Sequence, residues 1–158
     1  MNKLVVTLSK KFFKEHFRSG EPTEFKKKVE AGIKIHTCRK NLIFWQYKIA
    51  ELKKGNGVLS LRQWSANPYR SPQEVIKDIP AEIVGVQKLE LTHHSPAGFS
   101  ALVDGNPVTI GALAKNDGLT LEEYISWFMP VFRSAPGFEE GKPITLTFAI
   151  IHFSEFRY

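Results

Sequence analysis

Cysteine occurs once in the 158 residues, as Cys38. No intrachain disulfide can brace the fold, and a reducing compartment, the cytoplasm, is the expected setting. Long apolar runs are missing too. The opening MNKLVVTLSKKFFKEHF returns to charged residues after a brief apolar stretch, far short of a signal-peptide core or of the roughly 20 residues a membrane span needs, so no membrane partner is expected. No histidine and cysteine set has metal-ligand spacing. His93 and His94 are adjacent on an apparent strand, point to opposite faces and have no third ligand nearby, so neither a metal nor any other cofactor is expected. No internal repeat, low-complexity tract or long like-charge block appears, and the densest basic cluster, Lys26-Lys27-Lys28, reads as a solvated face.

Apolar side chains, by contrast, are plentiful. Hydrophobic residues make up 42% of the chain and aromatic ones 12%, enough to bury one sizeable core, and the length suits a single domain over residues 1–158. Lysine and arginine total 22 against 16 acids, a formal charge of +6 that favours polyanionic partners.

The hydrophobic periods predict an α+β chain. KLVVTL at 3–8 reads as a short buried strand and Ser9–Gly20 as a helical turn or an irregular wrap. Pro22-Thr23-Glu24 opens a helix to about Ala31, with Phe25 and Val29 inward and Gly32 as its stop. KIHTCR is β-compatible, and Asn41 caps a helix to about Lys54 with Phe44, Trp45, Ile49 and Leu52 as its apolar stripe. VLSLRQW at 58–64 alternates as a strand does, and SANPYRSPQ at 65–73 is turn chemistry. Residues 82–92 and 98–110 read as paired strands, with a turn at Asp104-Gly105-Asn106. Gly111–Asn116 is a short helix. Thr120 with Glu123 has capping-box spacing for another, whose stripe is Leu121, Tyr124, Ile125 and Phe128 and which Pro130 ends or kinks. ITLTFAIIHF at 144–153 closes the pattern as a buried strand.

Two segments carry chemistry together. GIKIHTCR at 32–39 places Lys34, Thr37 and Arg39 within six residues, and AKNDGLTLEEYISWF at 114–128 adds Asp117 ahead of a helix. On an unbroken strand Lys34 and Thr37 would face opposite ways while Thr37 and Arg39 share a face, so the chain must turn near Ile35 for all to converge. His36 and Cys38 flank Thr37 as a possible Cys-His nucleophile pair, against which burial as small core groups is the plainer reading.

The first segment resembles the Gly-x-Lys-x-x-Thr-x-Arg signature of ASCH domains, members of the PUA-like superfamily, and the second resembles their downstream acid and helix. Together they cover about a sixth of the chain. The resemblance implies a small, mostly antiparallel PUA-like β-barrel flanked by helices, with a cleft that binds RNA or a modified nucleoside. In small bacterial members it further implies hydrolysis of N4-acetylcytidine by a Lys, Thr and acid triad, here matched by Lys34, Thr37 and Asp117, with aspartate where those enzymes carry glutamate. A threonine hydroxyl needs a neighbouring base, which a lysine of depressed pKa supplies.

A second group, Arg62, Gln63, Trp64, Tyr69 and Arg70 in LRQWSANPYRS, combines aromatic faces that stack on bases with guanidinium groups that engage phosphate. A strand-end tryptophan closing the barrel mouth, with the tyrosine packed over it, is the alternative. The expected role is therefore binding of RNA or a nucleoside or nucleotide in a basic cleft built from Lys34, Thr37, Arg39, Arg62, Trp64 and Asp117, with Tyr69 and Arg70 beside it. The rivals are an amidohydrolase acting on an acylated nucleoside, with Thr37 as nucleophile, Lys34 as base and Asp117 orienting the lysine, and a non-catalytic structural or protein-interaction module in which Lys34 and Arg39 are charges pairing with Asp117.

Overall fold

The computed structural model of the chain describes residues 2–158. Its elements run β1 (Lys3–Thr7), α1 (Phe25–Glu30), β2 (His36–Arg39), α2 (Leu42–Lys54), β3 (Val58–Trp64), β4 (Gln73–Pro80), β5 (Gly85–His94), β6 (Gly98–Val103), β7 (Asn106–Val108), α3 (Ile110–Asn116), α4 (Leu121–Arg133) and β8 (Ile144–His152). The α+β class holds. The strands form two sheets, a three-stranded one ordered β1-β3-β4 and a five-stranded one ordered β2-β8-β5-β6-β7, each with two free edges in that order. Pairing is antiparallel throughout except for the parallel β1–β3 pair.

The local signals behave as their chemistry dictates. Asn41 accepts a hydrogen bond from the Phe44 N–H at the start of α2, and Thr120 and Glu123 make both bonds of a capping box on α4. On β5, residues alternate between buried and half-buried, as a strand of a sheet with one face inward should. One core draws Val6, Leu59, Leu61 and Ile79 from the small sheet and Leu89, Leu91, Ile150 and Ile151 from the large one, with Phe25, Tyr124, Phe128 and Phe132 from the helices.

Several expectations need correction. Residues 73–80 form β4, an edge strand whose charged sequence hides it, and its register against β3 slips by one residue between Leu61 and Arg62. Pro130 does not end α4, which runs on to Arg133; the hydrogen bond that proline cannot make is offset by burying Phe128 below and Phe132 beyond it. Leu121 on α4 and Phe44 on α2 are exposed, so each stripe is narrower than its spacing suggests. Ser9–Gly20 is an irregular wrap of turns, tied by Phe12 N–H to Glu21 O and Gly20 N–H to Phe12 O. No helix among the described residues is long and apolar enough to cross a membrane.

Candidate functional site

The site begins where α1 stops. Gly32 takes the left-handed conformation, φ 71°, which suits glycine, and the N–H groups of both Ile33 and Lys34 donate to Lys28 O. This folds the chain back before β2 starts. Ile35 is then pinned on both sides, its N–H donating to Asn116 O at 2.8 Å and its carbonyl accepting from Phe153 N–H at 2.8 Å. Lys34 therefore lies outside the strand alternation, and it reaches the same cavity as Thr37.

Asp117 follows α3 as its C-cap residue. The Lys34 ammonium donates to the Asp117 carboxylate, Nζ to Oδ1 at 2.8 Å, and to the Asp117 carbonyl at 2.8 Å. Lys28 donates to the next carbonyl, Gly118 O, at 2.7 Å. Two cations thus meet the negative end of a helix. Lys34 also sits 4.2 Å from the centroid of the Phe25 ring, a cation–π distance. Burial lowers the Lys34 pKa, and Asp117 offsets part of that. For Asp117, burial pushes upward, but the Lys34 charge and the approach of His36 outweigh it and hold the carboxyl at about 2.

Thr37 and Arg39 approach the same cavity from β2. The Arg39 guanidinium donates to Thr37 Oγ1 at 3.0 Å, to Cys38 O at 2.9 Å and to Thr7 O at 2.7 Å. All three acceptors are neutral oxygens, and among the described residues no carboxylate lies within salt-bridge distance of Arg39. Burial lowers the Arg39 pKa, opposed by the charge of Asp117. The cavity measures about 220 Å³; Lys34, Thr37, Arg39 and Asp117 supply its polar surface, Lys40 joins them, and Phe25, Trp127, Phe128 and Phe148 supply apolar walls.

Behind the carboxylate lies a polar cluster that local sequence patterns do not reveal. His36 Nε2 is 2.6 Å from the Tyr158 hydroxyl, and that oxygen also accepts from Asn116 Nδ2 at 3.0 Å. His36 Nδ1, buried and without a hydrogen bond, points toward Asp117 Oδ1 at 3.5 Å. His36, Cys38 and Asp117 offer ligand atoms within 4.8 Å of one another. The Lys34 ammonium already occupies that carboxylate, and its charge repels a second cation. Burial pushes the Cys38 thiol well up, and the charge of Asp117 adds to the effect. Cys38 is therefore held as a thiol, unsuited to act as a nucleophile.

The second group of sequence candidates lies elsewhere. Arg62 turns its Nε to Ser60 Oγ at 3.0 Å on its own strand, and it does not line the Lys34 cavity. Trp64 and Tyr69 line a separate groove of about 710 Å³, their rings 5.0 Å apart and inclined at 47°. Arg70 is exposed and lines neither space. The single cleft expected from the sequence is two, divided where Arg39 bonds to Thr7, a residue of the groove wall. Phe25, Lys40 and Trp127 at the inner cavity, and Lys10, Lys11 and Phe13 at the groove, were not foreseen. The lysines on their own carry no sequence signal that separates them from solvated charges.

No family model matches the chain, and neither does any curated protein or solved structure.

Proposed function

We propose that the inner cavity binds the base of a nucleoside or nucleotide, free or within RNA, and that the chain is an ASCH-type domain whose two sheets correspond to the PUA-like barrel, working in a reducing cytoplasm. The observation that carries this reading is Arg39. A partly buried guanidinium held only by neutral oxygens keeps a charge that an anionic or strongly polar ligand can meet. Lys40 beside it is exposed and available to phosphate. Volume limits the ligand. At about 220 Å³ the cavity is smaller than the roughly 300–1,000 Å³ of drug-sized sites, which suits one ring system between aromatic walls with polar groups at one end. Convergence of Lys34, Thr37, Arg39 and Asp117 agrees with the resemblance of GIKIHTCR and AKNDGLTLEEYISWF to the ASCH pattern.

Calorimetric titration with the four nucleosides and their monophosphates tests it. At least one should bind, the monophosphate more tightly and with affinity falling as salt rises, and Arg39→Ala should weaken it about tenfold or more. Absence of binding at millimolar ligand, or unchanged affinity in Arg39→Ala, overturns the proposal.

Hydrolysis of an acylated nucleoside is the second reading, favoured by Lys34, Thr37 and Asp117 lining one cavity and by the lowered pKa of Lys34. Against it, Thr37 Oγ1 is bonded to Arg39, and Lys34 is directed at Asp117. Activation would require the lysine to release a proton, turn to the hydroxyl and take its proton; the alkoxide then attacks the acyl carbon, the C–N bond breaks as the amine leaves with the proton from the lysine, and water hydrolyses the acyl-threonine ester to restore Thr37. Turnover of N4-acetylcytidine by the wild type that Lys34→Met and Thr37→Val both abolish would establish it; turnover retained in either variant rules out this triad.

A further inference from the structure

Resting on the nucleoside reading of the inner cavity, we propose that the base enters it from a single-stranded polynucleotide, whose neighbouring nucleotides lie along the outer groove formed by the wrap after β1 and the loop after β3. The groove, at about 710 Å³, is more than three times the size of the 220 Å³ cavity, so a ligand that fills both is much larger than one nucleoside.

Although divided by the Arg39–Thr7 contact, the two spaces border a common hollow. This hollow, of about 360 Å³, shares Lys40 and Trp127 with the inner cavity and Phe13 with the groove. Its acid is Glu15, while the groove wall carries Lys10 and Lys11 and no acid. A run of cations at Lys40, Lys10 and Lys11, interleaved with the aromatic faces of Trp127, Phe13 and Trp64, has the composition that tracks a phosphodiester backbone and stacks its bases.

Tyr69 is the most informative residue of the groove. It is 88% exposed, so although its ring lies 5.0 Å from that of Trp64, most of its surface stays open to solvent. Its backbone holds φ 63°, an unfavourable left-handed conformation for a tyrosine. The loop carries that strain while presenting an aromatic ring to solvent beside Trp64, leaving a face on which a base can stack. Single-stranded form follows from the inner cavity. A base enclosed among Phe25, Trp127 and Phe128 is out of any stack, and a single strand delivers it without the cost of unpairing.

The experiment compares a mononucleotide, single-stranded pentamers of the same base in RNA and DNA, a duplex and poly-glutamate, each titrated against wild type, Tyr69→Ala, Lys11→Glu and Arg39→Ala by fluorescence anisotropy or calorimetry. A pentamer should bind at least about tenfold more tightly than the mononucleotide. Tyr69→Ala should reduce pentamer affinity by about 5- to 150-fold, the range of one base stacked on an aromatic ring, leave mononucleotide affinity unchanged, and unfold at the wild-type temperature. Lys11→Glu should weaken the pentamer and flatten its salt dependence; Arg39→Ala should weaken both ligands. If the mononucleotide binds and the pentamer is no tighter, or Tyr69→Ala leaves the pentamer untouched, the groove proposal fails while the nucleoside reading stands. If the pentamer binds in a Tyr69-dependent way but Arg39→Ala changes nothing, the nucleoside reading fails instead. Equal binding of duplex or of poly-glutamate also overturns the single-strand proposal. The RNA and DNA arms decide which sugar the groove accepts.

Discussion

The ammonium of Lys34 lies 2.8 Å from both the carboxylate and the backbone carbonyl of Asp117, a residue 83 positions further along the chain. Both side chains are almost wholly buried. Such a pair contributes little net stability, because desolvating two charges costs about as much as their attraction returns, but removing one partner strands the other. Asp117→Asn should therefore destabilise the protein by about 3 kcal/mol at neutral pH. Lys34→Met should cost less, since His36 still approaches the remaining carboxylate. The double variant should be more stable than the sum of the two losses predicts, as measured by urea denaturation in a double-mutant cycle. Additive losses would mean that the pair is not coupled.

Gly118 stands directly after that aspartate with φ 77°, and a Cβ placed there would come within 3.1 Å of Lys34 Cβ and 3.2 Å of Lys28 Cδ. Gly118→Ala should cost about 1–2 kcal/mol from the left-handed backbone alone, and it should also weaken ligand binding by displacing Lys34. Gly111, inside α3 with open space around it, supplies the contrast: Gly111→Ala should stabilise by about 0.5–1 kcal/mol with binding unchanged. Thermal melts and titrations of the two variants, run side by side, check both signs.

Glu123 joins the wrap after β1 to α4. Its carboxylate accepts from the Thr120 N–H at 2.8 Å and pairs with Arg18, while its carbonyl is 2.9 Å from His16 Nε2. His16 Nδ1 accepts from the Arg18 N–H at 3.0 Å, so Nε2 is the protonated nitrogen and donates to Glu123. Thr120→Ala removes only the cap and should cost about 1 kcal/mol. Glu123→Ala leaves the Thr120 N–H without its acceptor and removes the partner of Arg18, and should cost about 2–3 kcal/mol. It should also raise hydrogen exchange in residues 12–21, which the smaller cap variant should leave protected; equal costs for the two variants would refute this role for Glu123.

How much of this was legible beforehand depends on range. Asn41, the Thr120–Glu123 box and the alternation of 58–64 act over a few residues, and each element formed where its local chemistry placed it. QEVIKDIP at 73–80 lacks a clean strand alternation because it pairs on one side only, keeps Lys77 and Asp78 in solvent and slips register at Leu61/Arg62, so that Ile79 alone is fully buried. Lys34, Thr37, Arg39 and Asp117 were legible as a group only because two short patterns occurred together. What encloses them was not: the Tyr158 hydroxyl reaches His36 across 122 positions, and no local period encodes such a contact. Arg62 was misplaced for a related reason. Strand alternation put it on a functional-looking face, but the same alternation puts Ser60 on that face, within reach of its guanidinium, and the β3–β4 register sets Asp78 opposite Ser60.

His152, fully buried in β8, should make the fold sensitive to acid. The Gln87 amide is oriented by its Nε2, which donates to Asp104 Oδ2 at 3.0 Å and to Tyr158 O at 3.2 Å, while its Oε1 accepts from the Tyr158 N–H at 2.9 Å. His152 Nε2, 2.9 Å from that oxygen, must therefore be a donor, which leaves Nδ1 as the bare nitrogen, buried and unpartnered. Protonating it places a charge where no group can accept it. Burial foremost, then the nearby His36 and Arg157, push the His152 pKa down to about 3. Because the folded value lies below that of an unfolded histidine, near 6.5, the unfolded chain takes up a proton that the folded one refuses as the pH falls through this window. Stability supplied by the neutral ring is complete above about pH 6.5 and declines toward pH 3, by about 3 kcal/mol at pH 4. Depressed carboxylates such as Asp117 act in the same direction only at lower pH, as they approach their own protonation. His152→Gln keeps a donor for Gln87 and cannot titrate, so between pH 6.5 and 4.5 its unfolding free energy from urea melts should change less steeply with pH than that of the wild type, by close to one proton. The slope, unlike the absolute stability, is insensitive to any packing lost in the substitution, and an unchanged slope would show that the acid limit lies elsewhere.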